Sequence, residues 1–379
     1  MEIILAGVSS IYGIDEIKEY FEKRGIAIKF VETEYMEQYN DDSDCDIIIA
    51  ESVKTTAKSI YLPLNEYWLS YGHSMGIAQI SDRAYKSSRS KKYFSELLSN
   101  NGLDYCRILS RKEAKDILDG GNKVLIKPDS YYSGHGVRVV DLDSAMDFDL
   151  YFEQAKDVTD DAKRVLSINK GIAEIWEYVS GEEYSMDVFV CNGNYSILRL
   201  CKKKIACING IPCSVVYITV SVEQRINEIL GKWIKILFGD NDISFAQFDF
   251  IIDGESERIV PIDFSCRVAG GLKEMFKLYN ANIYLEALKS LISNNNTVNL
   301  SNEGIYQYNI IPLKKGVLLD DNYGMENENM IKYKKAGDYV KNIGASANAR
   351  LAVIVGKDYS EQDYQRKKRK LLIGTRFIH

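Results

Sequence analysis

The chain has 379 residues, 46% hydrophobic and 27% charged, which places it with soluble globular proteins and gives room for two or three structural units. A formal net charge of −6 argues against a dedicated nucleic-acid binder, because phosphate contacts need a basic surface. The start, MEIILAGVSS, has no basic leader, and no run approaches the roughly 20 apolar residues of a membrane helix, so a cytoplasmic protein is expected. Seven cysteines are scattered without a CxxC, which suits reduced thiols better than disulfides or zinc. Cys201, Cys207 and Cys213 recur every six residues and read as small apolar fillers of strands.

In chain order, Ile3 to Ala6 and Ile26 to Val31 read as strands around a helix from Ile14 to Arg24, with a third strand at Asp46 to Ala50. This is an α/β unit with a parallel sheet. Glu32 ends the second strand, where a nicotinamide site wants an acid, but Gly7 and Gly13 do not form GxGxxG. A structural Rossmann-like layer is expected. Asp82 to Asn101 reads as one basic amphipathic segment stopped by Gly102, with Lys91 near the helix start.

The stretch Lys127 to Val140, KPDSYYSGHGVRVV, follows a strand at Val124 to Ile126. Strand, polar loop and strand have the shape of a flap over phosphate. Ser133, Gly134 and Gly136 allow close backbone approach, Lys127 supplies a point charge, and His135 could touch a phosphate. A hairpin with a loose tip reads the same way. Gly171 to Val179 is strand-like, and from Glu183 the residues Tyr184, Met186, Val188 and Val190 alternate with Ser185, Asp187 and Phe189. Glutamates at 174, 177, 182 and 183 crowd this segment; a carboxylate there needs hydrogen-bond donors, which ribose or adenine would supply, or else solvent.

Asn194 to Thr219 reads as three short strands interrupted by Lys202-Lys203-Lys204, either a solvated face or a contact for an anionic substrate. Val222 to Phe238 is a helix by period, and Phe245 to Ile252 and Ile259 to Phe264 form a hairpin about Gly254. Asp249 and Asp263 face each other in that hairpin. Both stay ionised readily with a cation between them, and Mg²⁺ favours such oxygen ligands. Alternatively, one caps a turn and the other pairs with Arg267. Asn280 to Ile292 is a helix, Ser293 to Ser301 a loop, and Glu361 to Leu372 a basic helix, read as a solvated face or else a contact for a partner.

The order of these pieces resembles the ATP-grasp superfamily along most of the chain. The resemblance implies an α/β and α+β architecture: an N-terminal Rossmann-like domain (residues 1–82), an ATP-grasp domain (83–300) with a mobile lid at roughly 115–185, and a C-terminal subdomain (301–379). Lys91 and Lys127 match the two ATP-contacting lysines, and Ser133 to Gly136 the mobile loop. The hinge E-E-Y-x-x-G-x-E stands here as Trp176-Glu177-Tyr178-Val179-Ser180-Gly181-Glu182-Glu183. Glu177, Tyr178 and Val179 are then expected at the adenine edge and Glu183 at the ribose. The metal signature E-x-N-x-R stands as Asp263-Phe264-Ser265-Cys266-Arg267, with Asp249 as the other ligand and Ser265 in place of asparagine.

The tail looks like that of biotin-carboxylase-like members, particularly the L-amino-acid ligases. The resemblance implies ATP and Mg²⁺ as cofactors and an acyl phosphate attacked by an amine, with Lys91, Lys127 and Arg267 offsetting charge on the transferring phosphoryl group. The expected activity is a carboxylate–amine ligase acting on an amino acid or similar small acid. A bicarbonate- or formate-using relative and an inactive ATP-binding module are the alternatives. The expected partners are small molecules, with no nucleic acid and no membrane. Relatives of this kind often form dimers, which leaves a homodimer open.

Overall fold

The computed structural model describes residues 1–37, 44–130, 136–157, 171–277, 282–292, 303–325, 329–341, 349–374 and 377–378. Strands β1 (Glu2–Ala6), β2 (Ala27–Glu32), β3 (Ile47–Ile49) and β4 (Ser59–Pro63) form a parallel sheet in the order β3-β2-β1-β4. Both faces of β1 are covered. Ile3 and Leu5 pack with Ile17 and Phe21 of the helix Ile14–Glu22, while Ile4 and Ala6 pack with Tyr61 and Trp68. Burial on both sides explains the unbroken apolar run at the start of the chain. Glu32 is fully buried, and its carboxylate accepts the Ser9 amide (3.0 Å), the Thr33 amide (2.8 Å) and the Trp68 indole (3.4 Å). The acid that ends β2 therefore braces the turn after β1, as expected of a structural layer.

The amphipathic segment at residues 82–101 divides into two helices, Asp82–Arg89 and Lys91–Asn100, and Lys91 stands at a helix start as expected. Ser90 is extended, and its hydroxyl accepts the Tyr93 amide, capping the second helix. The break places Lys91 at the first helical position.

A second, antiparallel sheet has the order β5 (Ile108–Leu109), β8 (Ala173–Glu177), β6 (Val124–Pro128) and β7 (Arg138–Val140). Its core joins Val124, Ile126, Val140 and Ile175 to Ala114 and Leu118 of the helix Arg111–Asp119. Gly136, between β6 and β7, has φ +74°, and a Cβ there would fall 2.6 Å from the Pro128 ring. Both conformation and space demand glycine.

The largest sheet runs β13 (Ile259–Ser265), β12 (Ile243–Asp253), β9 (Gly181–Cys191), β10 (Asn194–Ile208), β11 (Ile211–Thr219), β14 (Tyr306–Pro312), then Ala352–Gly356 and Met330–Lys332. Residues 194–219 thus form two long strands rather than three short ones. The lysine run continues β10, because its backbone pairs with β9 on one side and β11 on the other.

Alternation on this sheet decides where the cleft lies. Met186, Val188, Val190, Phe248 and Phe250 point to one face and pack on Leu230 and Trp233 of the helix Gln224–Leu237. Intervening residues point the other way. Phe189 and Phe245 join the N-terminal core, whereas Gln247 and Asp249 make a polar floor, with Ser185 and Asp187 buried beside them. Near the end of the chain, the helix Glu361–Lys367 stops at Lys367 rather than Leu372, because Leu371 is buried and Leu372–Ile373 pairs with β14. No described helix is long and apolar enough to cross a membrane. No disulfide joins the seven cysteines; Cys201 and Cys213 are buried fillers, but Cys207 is exposed past the bulge at Lys204/Ile205.

Candidate active site

A cleft of about 760 Å³ opens between the β5-β8-β6-β7 sheet and the polar floor of the largest sheet. Its lining brings together Lys91, Lys127, Glu177, Tyr178, Val179, Glu183, Asp249, Asp263, Ser265 and Arg267. Gly136 borders Pro128, which also lines the cleft. Ser133, Gly134 and His135 lie outside the described residues.

Lys127 is carried by β6, and Glu174 on β8 opposes it. It is buried, and its ammonium lies 5.3 Å from the centre of the Trp176 ring. A cation over an indole face is stabilised by the ring quadrupole. Trp176 belongs to an apolar joint with Cys106, Val179, Ile251 and Val260 that ties the two sheets together. The hinge leaves that joint. Glu177 Oε1 accepts the Arg107 amide at 2.9 Å, Val179 is buried and Tyr178 is exposed. Gly181 (φ +158°) then crosses β12 so closely that a Cβ would sit 2.0 Å from the Ile252 carbonyl oxygen. Leu125, Ile251 and Ile262 give this end of the cleft apolar walls.

Asp249 and Asp263 are direct cross-strand partners, as the hairpin reading expects. Each faces an ammonium. Lys91 Nζ lies 3.3 Å from Asp263 Oδ1, and Lys203 Nζ lies 2.8 Å from Asp249 Oδ2. Asp263 Oδ1 also accepts the Phe264 amide at 3.0 Å, and Asp249 Oδ1 accepts from Gln247 Nε2 at 3.2 Å. The alternative pairing of Arg267 with a hairpin aspartate does not occur. Its Nε donates to Glu66 Oε1 at 2.9 Å, and Nη1 donates to the Val268 carbonyl (2.8 Å) and Gln247 Oε1 (3.3 Å). Glu66, on the helix Glu66–Ser74, is buried and also takes Arg89 Nη1 at 3.4 Å.

Two cleft residues escape sequence reasoning. Lys203, the middle of the lysine run, is buried rather than solvated, with Nζ 2.8 Å from Glu183 Oε1 as well as from Asp249. Burial lowers its pKa, but Asp249 and Glu183 more than offset this and hold it well above the ordinary lysine value. Arg350 lines the cleft from the residue two before the strand Ala352–Gly356 and pairs with Glu274 Oε1 at 3.2 Å. The sequence leaves the lysine run open between a solvated face and an anionic contact without singling out Lys203, and it carries no sign of Arg350.

Glu274 is half-buried and also accepts from the Tyr333 hydroxyl. Burial pushes its pKa up, yet Arg350 and Tyr333 prevail and leave it below the ordinary 4.5. A depressed carboxylate contributes stability that is complete above its unfolded pKa and is lost as pH falls through the folded value. Denaturant midpoints measured from pH 6 down to pH 3 should therefore fall less steeply for Glu274→Gln than for wild type.

The donor set near the hairpin fits a hard divalent ion. Asp249 and Asp263 offer carboxylate oxygens, and Ser265, opposite Gln247, adds a hydroxyl. Among the described residues, no group of three or more His, Cys, Asp or Glu side chains could hold a metal. Two carboxylates suit Mg²⁺, which binds through one or two carboxylates and completes its shell with phosphate oxygens and water.

No protein-family model matches this sequence, and no curated protein sequence matches it. Solved structures match along nearly the whole chain. The L-amino acid ligase of Bacillus licheniformis superposes with a TM-score of 0.63 at 13% identity, covering 98% of this chain and 96% of that one. N5-carboxyaminoimidazole synthetase from Staphylococcus aureus, solved with ADP, gives 0.62 at 14% identity, covering 98% and 96%. The biotin carboxylase domain of Hydrogenobacter thermophilus 2-oxoglutarate carboxylase, solved as a dimer with MgADP, ADP and bicarbonate, gives 0.56 at 12%, covering 97% and 89%. The chain therefore has the ATP-grasp fold, preceded by a parallel-sheet unit.

Proposed function

We propose that the protein is an ATP-dependent carboxylate–amine ligase that forms an amide or peptide bond through an acyl phosphate, releasing ADP and phosphate. The observation that carries this reading is the convergence of Lys91, Lys127, Glu183, Asp249, Asp263 and Arg267, from distant segments, on one cleft of an ATP-grasp fold. The ligase and synthetase among the superposed structures support it.

In this reading Glu177, Tyr178 and Val179 border the adenine, and Glu183 accepts from the ribose hydroxyls. Asp249, Asp263 and Ser265 hold Mg²⁺, which when bound neutralises and orients phosphate oxygens. Lys127 and Lys91 place positive charge where it builds on the transferring phosphoryl group, and Arg267 serves the same charge and then the oxyanion formed as an amine attacks the acyl phosphate. The β6–β7 segment, with Gly136 and the loop residues Ser133, Gly134 and His135, closes over the phosphates and keeps water from the acyl phosphate. No side-chain nucleophile is needed. The first substrate is an amino acid or similar small carboxylate.

The proposal includes the division into residues 1–82, 83–300 with a lid at roughly 115–185, and 301–379. Cytoplasmic location belongs to the same reading, and sedimentation of the purified chain decides between monomer and homodimer.

Incubation with ATP, Mg²⁺ and a matrix of acids and amines should release ADP and phosphate only when both members of a productive pair are present. Release of AMP and pyrophosphate would overturn the acyl-phosphate route. Bicarbonate-dependent ADP release without an amine would transfer the protein to a carboxylating role.

A further inference from the structure

Lys203 occupies a position that the proposed reaction leaves unexplained. It opposes Glu183 across β9–β10, and Glu183 lies two residues from Ser185, the partner of Asp249 across β9–β12. Lys203, Glu183 and Asp249 therefore share one face of the sheet, and the ammonium bridges both carboxylates at 2.8 Å. The lysine side chain is only 4% exposed, and its ammonium stands 5.7 Å from the centre of the Tyr217 ring, so it has one settled place. Its two partners are the groups assigned to the ribose and to the metal. An ammonium and a divalent ion cannot share Asp249 at close range without repelling each other strongly in a partly buried site.

We infer that Lys203 is a resident counter-ion. It holds Asp249 and Glu183 aligned in the nucleotide-free cleft, and it prevents Asp249 from taking a divalent ion alone. When nucleotide and ion enter together, the ammonium leaves Asp249 for a phosphate oxygen. Lys203 is thus a positioning residue that makes metal entry depend on nucleotide. The inference rests on the proposed ATP-dependent reading.

The test uses Mn²⁺ alone as the probe, with free Mn²⁺ read by electron paramagnetic resonance. Lys203→Met, which keeps the stem's bulk, should bind Mn²⁺ without nucleotide roughly tenfold or more tightly than wild type, as expected when a like charge is removed beside the ligand. The same variant should bind MnADP more weakly than wild type. Adding Asp249→Asn should abolish the gain. Thermal melting gives a second readout that also reports folding: Mn²⁺ alone should raise the midpoint of Lys203→Met and leave that of wild type unchanged. Unchanged or weaker Mn²⁺ affinity in Lys203→Met, with no Mn²⁺-dependent rise in its midpoint, overturns the inference. MgADP binding to wild type is measured separately. If wild type binds no MgADP, the proposed function falls; if it binds MgADP and Lys203→Met shows no Mn²⁺ gain, only the counter-ion role falls.

Discussion

Asp263→Asn should lower turnover by about 10²–10³-fold while leaving adenine-nucleotide binding mostly intact. The substitution keeps the shape of the side chain, so the amide oxygen can still accept the Phe264 amide. What disappears is the charge that faces Lys91 and, across the hairpin, Asp249. Two consequences push the same way. In the proposed reading the Mg²⁺ donor set trades a carboxylate for a neutral amide oxygen, and the Lys91 ammonium loses the Asp263 carboxylate. Phosphoryl transfer depends on charge placed beforehand around the phosphate, so the loss falls on the chemical step. In the proposed reading the nucleotide base sits at the other end of the cleft, beside the hinge and the Leu125, Ile251 and Ile262 walls. Steady-state ADP release and a fluorescent-nucleotide titration check the two halves separately. Equal activity of Asp263→Asn and wild type would remove the metal assignment.

Lys127→Met should weaken ATP binding by about 10–100-fold, the equivalent of one charge-assisted hydrogen bond to phosphate. Methionine keeps an apolar stem against Trp176, so the joint between the sheets stays packed and the melting temperature should change little. Lys127→Arg should restore only part of the affinity, because a planar fork does not replace a compact ammonium in a buried position. Isothermal titration with ATP and Mg²⁺ gives the comparison. Unaltered affinity in Lys127→Met would detach β6 from the phosphates and with it the flap reading.

The hairpin carrying Asp249 and Asp263 was legible because two signals are local: alternation of apolar and polar residues, and a glycine turn between the strands. Strand pairing at Asp249↔Asp263 follows from those alone. The order of Lys127, Glu183, Asp249, Asp263 and Arg267 was legible for a different reason, since a shared fold keeps its site residues in sequence order even where spacing and residue type drift. Lys203 was not legible. Three lysines in a row look solvated, and what buries the middle one is the register of β10 against β9, together with the presence of Asp249 on the next strand, neither of which is local. Arg267 was expected near the hairpin and lines the same cleft, but its bond to Glu66 was not legible, because Glu66 comes from an N-terminal helix 201 residues away. The break at Ser90 and the early end of the last helix have similar origins. A capping serine overrode a continuing helical period, and burial of Leu371 beside β14 drew the following residues into a strand.

The fate of the substrate carboxylate oxygen tests the central claim most directly. An acid and amine pair that supports turnover is supplied with the acid labelled by ¹⁸O in its carboxylate, and the released phosphate is analysed by mass spectrometry. An acyl-phosphate route transfers one carboxylate oxygen to phosphate at each turnover, so the phosphate should carry one ¹⁸O. Unlabelled phosphate, or label recovered in AMP, would contradict the assignment.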